Sequence, residues 1–225
     1  MQKKPVPGLL VLPGWDDNGR QQFEGFKACL ERDGWICKRA DLPDANWSTE
    51  RRAALTRDEA LRHVLYDYDD LAGQVFGGPV GVLGFSFGAY IGAFLAANRP
   101  VQFLILRSPA LYPDEDWMVP KEQLDKNDLD AYRHEKHGSY DNKALDCCSR
   151  FSGDVLLIDS EKDEVIPRTV IASYETAFAG ARSLTRHTLA MADHPLTDPA
   201  WQAEYRNFAT DWLGRKLAAL SATTG

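Results

Sequence analysis

Apolar positions along the chain follow two alternating rhythms. Short runs without helical period read as strands: "GLLVL" at 8–12, "PVGVLGF" at 79–85, "VQFLILRS" at 101–108 and "DVLLIDSE" at 154–161. Two weaker runs join them, "WICKRADLP" from Trp35 and "SLTRHTL" from Ser183. Between these runs, apolar residues recur every three or four positions. Asn18 is placed to cap a helix carrying Phe23, Phe26 and Leu30, stopped by Gly34. A polar helical stretch from about Thr56 to Gln74 offers Ala60, Leu61, Val64, Leu65 and Leu71 to a core. Tyr90, Ile91, Phe94 and Leu95 mark another helix, and a last one starts at Asp198-Pro199 and carries Trp201, Tyr205, Phe208 and Trp212.

Strand–helix alternation predicts an α/β fold, a parallel sheet of about six strands with helices on both faces. The central runs are continuously apolar, as expected of strands covered on both sides. The weak alternation of Ile36, Lys38 and Ala40 places the second strand near an edge. With 225 residues the chain reads as one domain over 1–225. One irregular tract, Tyr112 to about Arg150, is acidic, aromatic and polar. It falls between the fourth and fifth strands and is expected to form a small cap-like insertion of short helices.

Bulk properties narrow the function. A net charge of −7 gives no reason to expect nucleic acid or an anionic membrane surface as partner. It also disfavours strongly anionic substrates unless a local pocket overrides it. The four cysteines, Cys29, Cys37, Cys147 and Cys148, include no CxxC spacing and are expected to be free thiols. The N-terminal apolar run is too short for a signal-peptide core, and no stretch reaches the roughly 18 apolar residues of a membrane helix. The expectation is a soluble, cytoplasmic protein. No phosphate-cradling GxxxxGK[ST] and no metal-spaced cluster is present; "RHEKH" at 133–137 lacks the gap of HExxH. No cofactor and no metal are expected.

The chemistry concentrates at "GFSFG", where Ser86 stands between Gly84 and Gly88 at the junction of a strand and a helix. In a parallel sheet, reactive groups gather at the carboxyl ends of strands. A sharp strand-to-helix turn there lifts one side chain above the sheet, and its flanks must be small. The helix amino end and the backbone N–H of Phe87 would favour negative charge developing beside Ser86. The plainer alternative is a tight turn whose serine caps the helix.

"GFSFGAY" resembles the nucleophile elbow of the α/β-hydrolase family, whose chain order is serine, acid, histidine. The resemblance implies Ser86 as nucleophile, Asp163 of "DSEKDEVIP" as acid and His194 of "MADHPLTD" as base. Asp114, after the fourth strand, is the rival acid; Asp159, Glu161 and Glu164 are weaker ones. His63, His134, His137 and His187 read as surface or packing residues. "LPGWDDN" resembles the family's oxyanion loop, with Pro13 where histidine is common, and implies the Trp15 backbone N–H as second donor beside Phe87. An ordinary Pro-Gly turn with Trp15 packed on the core is the alternative. Phe85, Tyr112, Trp117 and Met118 are the expected substrate-binding residues.

The resemblance spans nearly the whole chain, from about Gly8 to the last helix, and lacks the antiparallel strand pair with which the family usually opens. It is to the compact serine esterases and dienelactone-hydrolase-like members, with serine where the dienelactone hydrolases carry cysteine. What it implies is a three-layer α/β-hydrolase fold with a shortened sheet. The activity it implies is a serine hydrolase cleaving a small carboxylic ester through an acyl-enzyme. A thioesterase or carbon–carbon bond hydrolase would use the same triad. A non-catalytic binding protein on the same fold is the reading from another class.

Overall fold

Six parallel strands form one sheet in the order β2-β1-β3-β4-β5-β6: β1 Gly8–Leu12, β2 Ile36–Arg39, β3 Val80–Phe85, β4 Phe103–Arg107, β5 Asp154–Ser160 and β6 Ser183–Leu189. The structure, a computed structural model, describes residues 4–15, 18–43 and 47–223, and the side chains of 18–22 and 223 lie outside the description. The predicted cap of the first helix by Asn18 therefore falls outside the described side chains.

Period-two alternation splits the apolar strands into two cores. Leu10, Leu12, Val82, Leu104, Leu106, Val155 and Leu157 point to one face. Leu9, Val11, Leu83, Phe103, Ile105, Leu156 and Ile158 point to the other. The second face is covered by α1 (Asn18–Arg32), through Phe23, Phe26 and Leu30, and by α8 (Pro199–Thr223). On α8 it is Tyr205, Ala209, Trp212 and Leu213 that are fully buried, while Trp201 and Phe208 pack partly. Onto the first face pack α3 (Arg57–Gln74), α4 (Phe87–Asn98), α6 (Lys143–Ser149) and α7 (Arg168–Ala177). Each edge strand is half-exposed along most of its length, which explains the weaker apolar pattern of β2 and β6.

Local signals set the helix ends. Thr56 and Glu59 form a reciprocal capping box at the start of α3. Gly34 takes φ +83° after α1, the left-handed conformation a glycine adopts without strain. Asp198 Oδ1 accepts from the Ala200 N–H at 2.7 Å, and Pro199 opens α8. Two helices escaped the sequence reading: α2 (Thr49–Ala54), which buries none of its residues and so has no apolar period to announce it, and α7, whose buried Val170, Ile171, Tyr174 and Ala177 do follow helical spacing.

The tract between β4 and β5 holds a 3₁₀ turn at Lys121–Gln123, α5 (Lys126–His134) and α6. It is tied to the body of the molecule: Lys121 N–H donates to Leu55 O at 3.0 Å, and Arg52 meets Glu122 at 2.8 Å.

Candidate active site

The turn at Ser86 is shaped by lack of space. A Cβ on Gly84 would lie 2.4 Å from the Ala89 Cα, and one on Gly88 would lie 2.2 Å from the Leu12 carbonyl oxygen. Both contacts are to backbone, so neither can be relieved by a rotamer change. Ser86 itself takes φ +50°, ψ −110°. A non-glycine residue in such a region costs about 1–3 kcal/mol and persists only where its surroundings enforce it. Ser86 N–H donates to Arg107 O at 2.9 Å, and Ser86 O accepts from Tyr90 and Ala110 at 3.1 Å. The Ser86 hydroxyl makes no capping bond to α4. The helix-cap alternative is thereby set aside.

The hydroxyl instead faces His194 Nε2 at 3.1 Å. His194 Nδ1 meets both Asp163 oxygens, at 2.9 and 2.8 Å. A carboxylate only accepts, so this contact puts the proton on Nδ1 and turns the Nε2 lone pair toward Ser86. Asp163 Oδ1 also accepts from the N–H groups of Val165 and Ile166 at 3.0 and 2.8 Å. Burial alone pushes this carboxyl up. Hydrogen bonding and charge from His194, with the Ile166 N–H, outweigh it and hold Asp163 below the ordinary carboxylate range.

The rival residues lie elsewhere. Asp114 accepts from the Lys143 N–H at the start of α6. Asp159 takes Thr188 Oγ1 at 3.0 Å, and Glu161 takes the Met191 N–H at 2.8 Å. Of the other histidines, His63, His134 and His137 meet backbone carbonyls, and His187 meets Glu204.

Trp15 is buried with its ring edge-to-face on Phe87, centroids 5.0 Å apart. Among the described residues, neither the Trp15 nor the Phe87 backbone N–H has a protein acceptor. Glu122 accepts from the Trp15 indole N–H at 3.1 Å and also binds Arg52.

Ser86 and His194 open onto a cavity of about 180 Å³. Phe85, Tyr112 and Trp15 line it. Trp117 and Met118 do not, which corrects the sequence reading. A turn beginning at Asp114 carries the chain outward here; the Trp117 indole N–H bonds Asp58 at 3.2 Å and its ring packs 4.8 Å from Phe94. Met118 is left 63% exposed.

Five lining residues were missed: Lys121, Leu129, Arg133, Val165 and Pro195. Leu129 and Arg133 stand four apart on α5, and that spacing on one helix face was the available signal. Arg107 was missed as well. It ends the buried strand β4 opposite Phe85 and is fully buried. Its guanidinium donates to the backbone carbonyls of His194 and Asp193 and to Ser160 Oγ, and lies 4.5 Å from the Phe85 ring. Desolvation pulls it down to about 10, so it stays charged at neutral pH and pins the loop carrying His194.

No family model and no curated protein matches this sequence. Solved structures do match. Est1E from Butyrivibrio proteoclasticus superposes with a TM-score of 0.69 at 14% identity, over 96% of this chain and 90% of that one. Paleococcus ferrophilus monoacylglycerol lipase gives 0.66 at 16% identity, over 94% and 96%. Dienelactone hydrolase from Anabaena variabilis gives 0.60 at 15% identity, over 96% and 88%. The chain has the α/β-hydrolase fold. Within that fold Ser86, Asp163 and His194 follow β3, β5 and β6, at strand ends brought together by the parallel sheet.

The α/β-hydrolase elbow leads to a direct test of packing. Gly84→Ala forces the α4 backbone away from β3 and carries Ser86 with it. A displacement near 1 Å costs about 10²-fold in rate. Turnover of a short ester is expected to fall by that order or more, while the adjacent control Ala89→Gly lowers stability without comparable loss of turnover per folded molecule.

Proposed function

We propose that this protein is a serine hydrolase that cleaves small carboxylic esters through an acyl-enzyme. The observation carrying this reading is the unbroken hydrogen-bond chain from Asp163 through His194 to Ser86. The esterases and lipases among the structural neighbours support it.

In this mechanism Ser86 Oγ attacks the ester carbonyl carbon as His194 Nε2 takes the hydroxyl proton. Asp163 stabilises the resulting imidazolium and keeps it oriented. The Trp15 and Phe87 N–H groups receive the developing oxyanion. His194 then returns the proton to the departing alkoxide, leaving Ser86 acylated. Water, activated by the same imidazole, releases the acid and restores the serine.

The cavity sets the size of the acyl group. At about 180 Å³ it lies below the roughly 300–1,000 Å³ of ligand pockets in general. Its apolar wall is short, with Leu129 as the contribution of α5 and Val165 half-exposed at the rim. Each methylene that finds wall to bury against is worth about 0.8 kcal/mol, about fourfold in kcat/KM. A series of p-nitrophenyl esters from acetate to palmitate, kept below aggregation, is expected to peak at about two to six acyl carbons and then fall. A steady climb to palmitate would mean that the tract from Tyr112 to Arg150 covers a long apolar channel.

A further inference from the structure

Among the described residues, the cavity at Ser86 is lined by two cations, Lys121 and Arg133, and by no carboxylate. Arg133 is only 9% exposed. Its Nε donates to Leu111 O at 3.0 Å and its guanidinium stacks 4.9 Å from the Tyr112 ring. Among the described residues no carboxylate lies within 4 Å of it, and the groups beside it are the Leu111 carbonyl and the Tyr112 side chain. Burying a guanidinium without an acid is unfavourable, and the Leu111 carbonyl and the Tyr112 ring offset part of that cost.

The surroundings share the same sign. Arg57, fully buried, lies 5.2 Å from the Tyr112 ring and donates to the Pro113 carbonyl. A second depression shares Trp15, Lys121 and Leu129 with the cavity and, among the described residues, adds Arg52 and Lys126 against one acid, Glu122. Among the described residues lining these two depressions, cations thus outnumber acids, in a chain carrying a net charge of −7. Low-dielectric walls focus such a field on whatever enters.

We propose that Arg133 is the specificity residue for a carboxylate carried by the substrate, close to the ester that Ser86 attacks. A planar guanidinium on the wall of a cavity can bind a carboxylate through two parallel hydrogen bonds. Because Arg133 and Ser86 share so small a cavity, the carboxylate and the scissile carbonyl sit only a few bonds apart. The substrate class is the short half-ester of a dicarboxylic acid. For the reaction this rests on the hydrolase reading; for anion binding it does not.

The test separates the two. Glutarate and neutral glutaramide are titrated calorimetrically into the Ser86→Ala protein, where no turnover interferes. Glutarate is expected to bind at least tenfold more tightly, and Arg133→Gln in the same background is expected to abolish that preference. With active enzyme, p-nitrophenyl hemiglutarate is expected to exceed p-nitrophenyl valerate in kcat/KM by tenfold or more, chiefly through KM. Arg133→Lys, which keeps the charge and the stem, retains part of this preference. Equal binding of glutarate and glutaramide overturns the proposal, and so does a glutarate preference undiminished in Arg133→Gln. Should Arg133→Gln fail to fold, the comparison in the Ser86→Ala protein and its Arg133→Lys form decides alone. Glutarate binding without ester turnover would leave the anion site standing and remove the hydrolase reading; turnover without anion preference would do the reverse.

Discussion

Replacing Ser86 with alanine is expected to lower kcat for a short ester on the order of 10⁴–10⁶-fold, with the protein still folded. The hydroxyl makes no bond that holds the turn: its contact is to His194 Nε2, and the backbone N–H and C=O of residue 86 carry the packing. Alanine removes the attacking oxygen and leaves those backbone bonds in place. Alanine at φ +50° carries the same conformational cost as serine there, so stability changes little. Circular dichroism and thermal melting check the fold beside the turnover assay. Wild-type turnover in Ser86→Ala would remove the serine from the mechanism, and loss of folding would make the turn its purpose.

Asp163→Asn is expected to lower kcat by about 10⁴-fold, and Asp114→Asn by less than about threefold. The amide carries no charge to stabilise the imidazolium, and its NH₂ end would stabilise the wrong tautomer of His194. Asp114 serves the amino end of α6 and has no contact with His194. The depressed Asp163 carboxyl also fixes a sign. A group whose folded value is lowered stabilises the native state above its unfolded value, near 3.9, and that stability is lost as pH falls through the lower folded value. Asp163→Asn is therefore expected to destabilise the protein at neutral pH and to matter progressively less below about pH 4. A denaturant titration at several pH values reads this directly.

Much of the architecture was legible in the sequence because both of its periods were clean. The continuous apolar runs that became β1, β3, β4 and β5 have no other economical home than a sheet covered on both faces. The elbow was legible because its geometry excludes almost every side chain at Gly84 and Gly88. Local signals gave way where tertiary contact decides. Trp117 and Met118 sit in a tract with little period, and Phe94 together with Asp58 drew the indole away from the cavity. Arg107 and Arg133 left faint traces, since an arginine at a strand end or in a polar helix ordinarily points to water. Only the fold shows that one underpins the His194 loop and that the other turns into the cavity. Helix α2 was illegible for the opposite reason, having no buried face to impose a pattern.

The central claim is that Ser86 forms a covalent acyl intermediate, and intact-mass spectrometry with a fluorophosphonate tests it most directly. The reagent phosphonylates a serine that His194 activates and whose oxyanion is held by the Trp15 and Phe87 N–H groups. The expected result is one adduct per chain, mapped by peptide digestion to Ser86, formed in step with loss of ester turnover. The same treatment is expected to leave Ser86→Ala unmodified. Full esterase activity in protein that takes up no adduct, or an adduct mapped to any other residue, would contradict it.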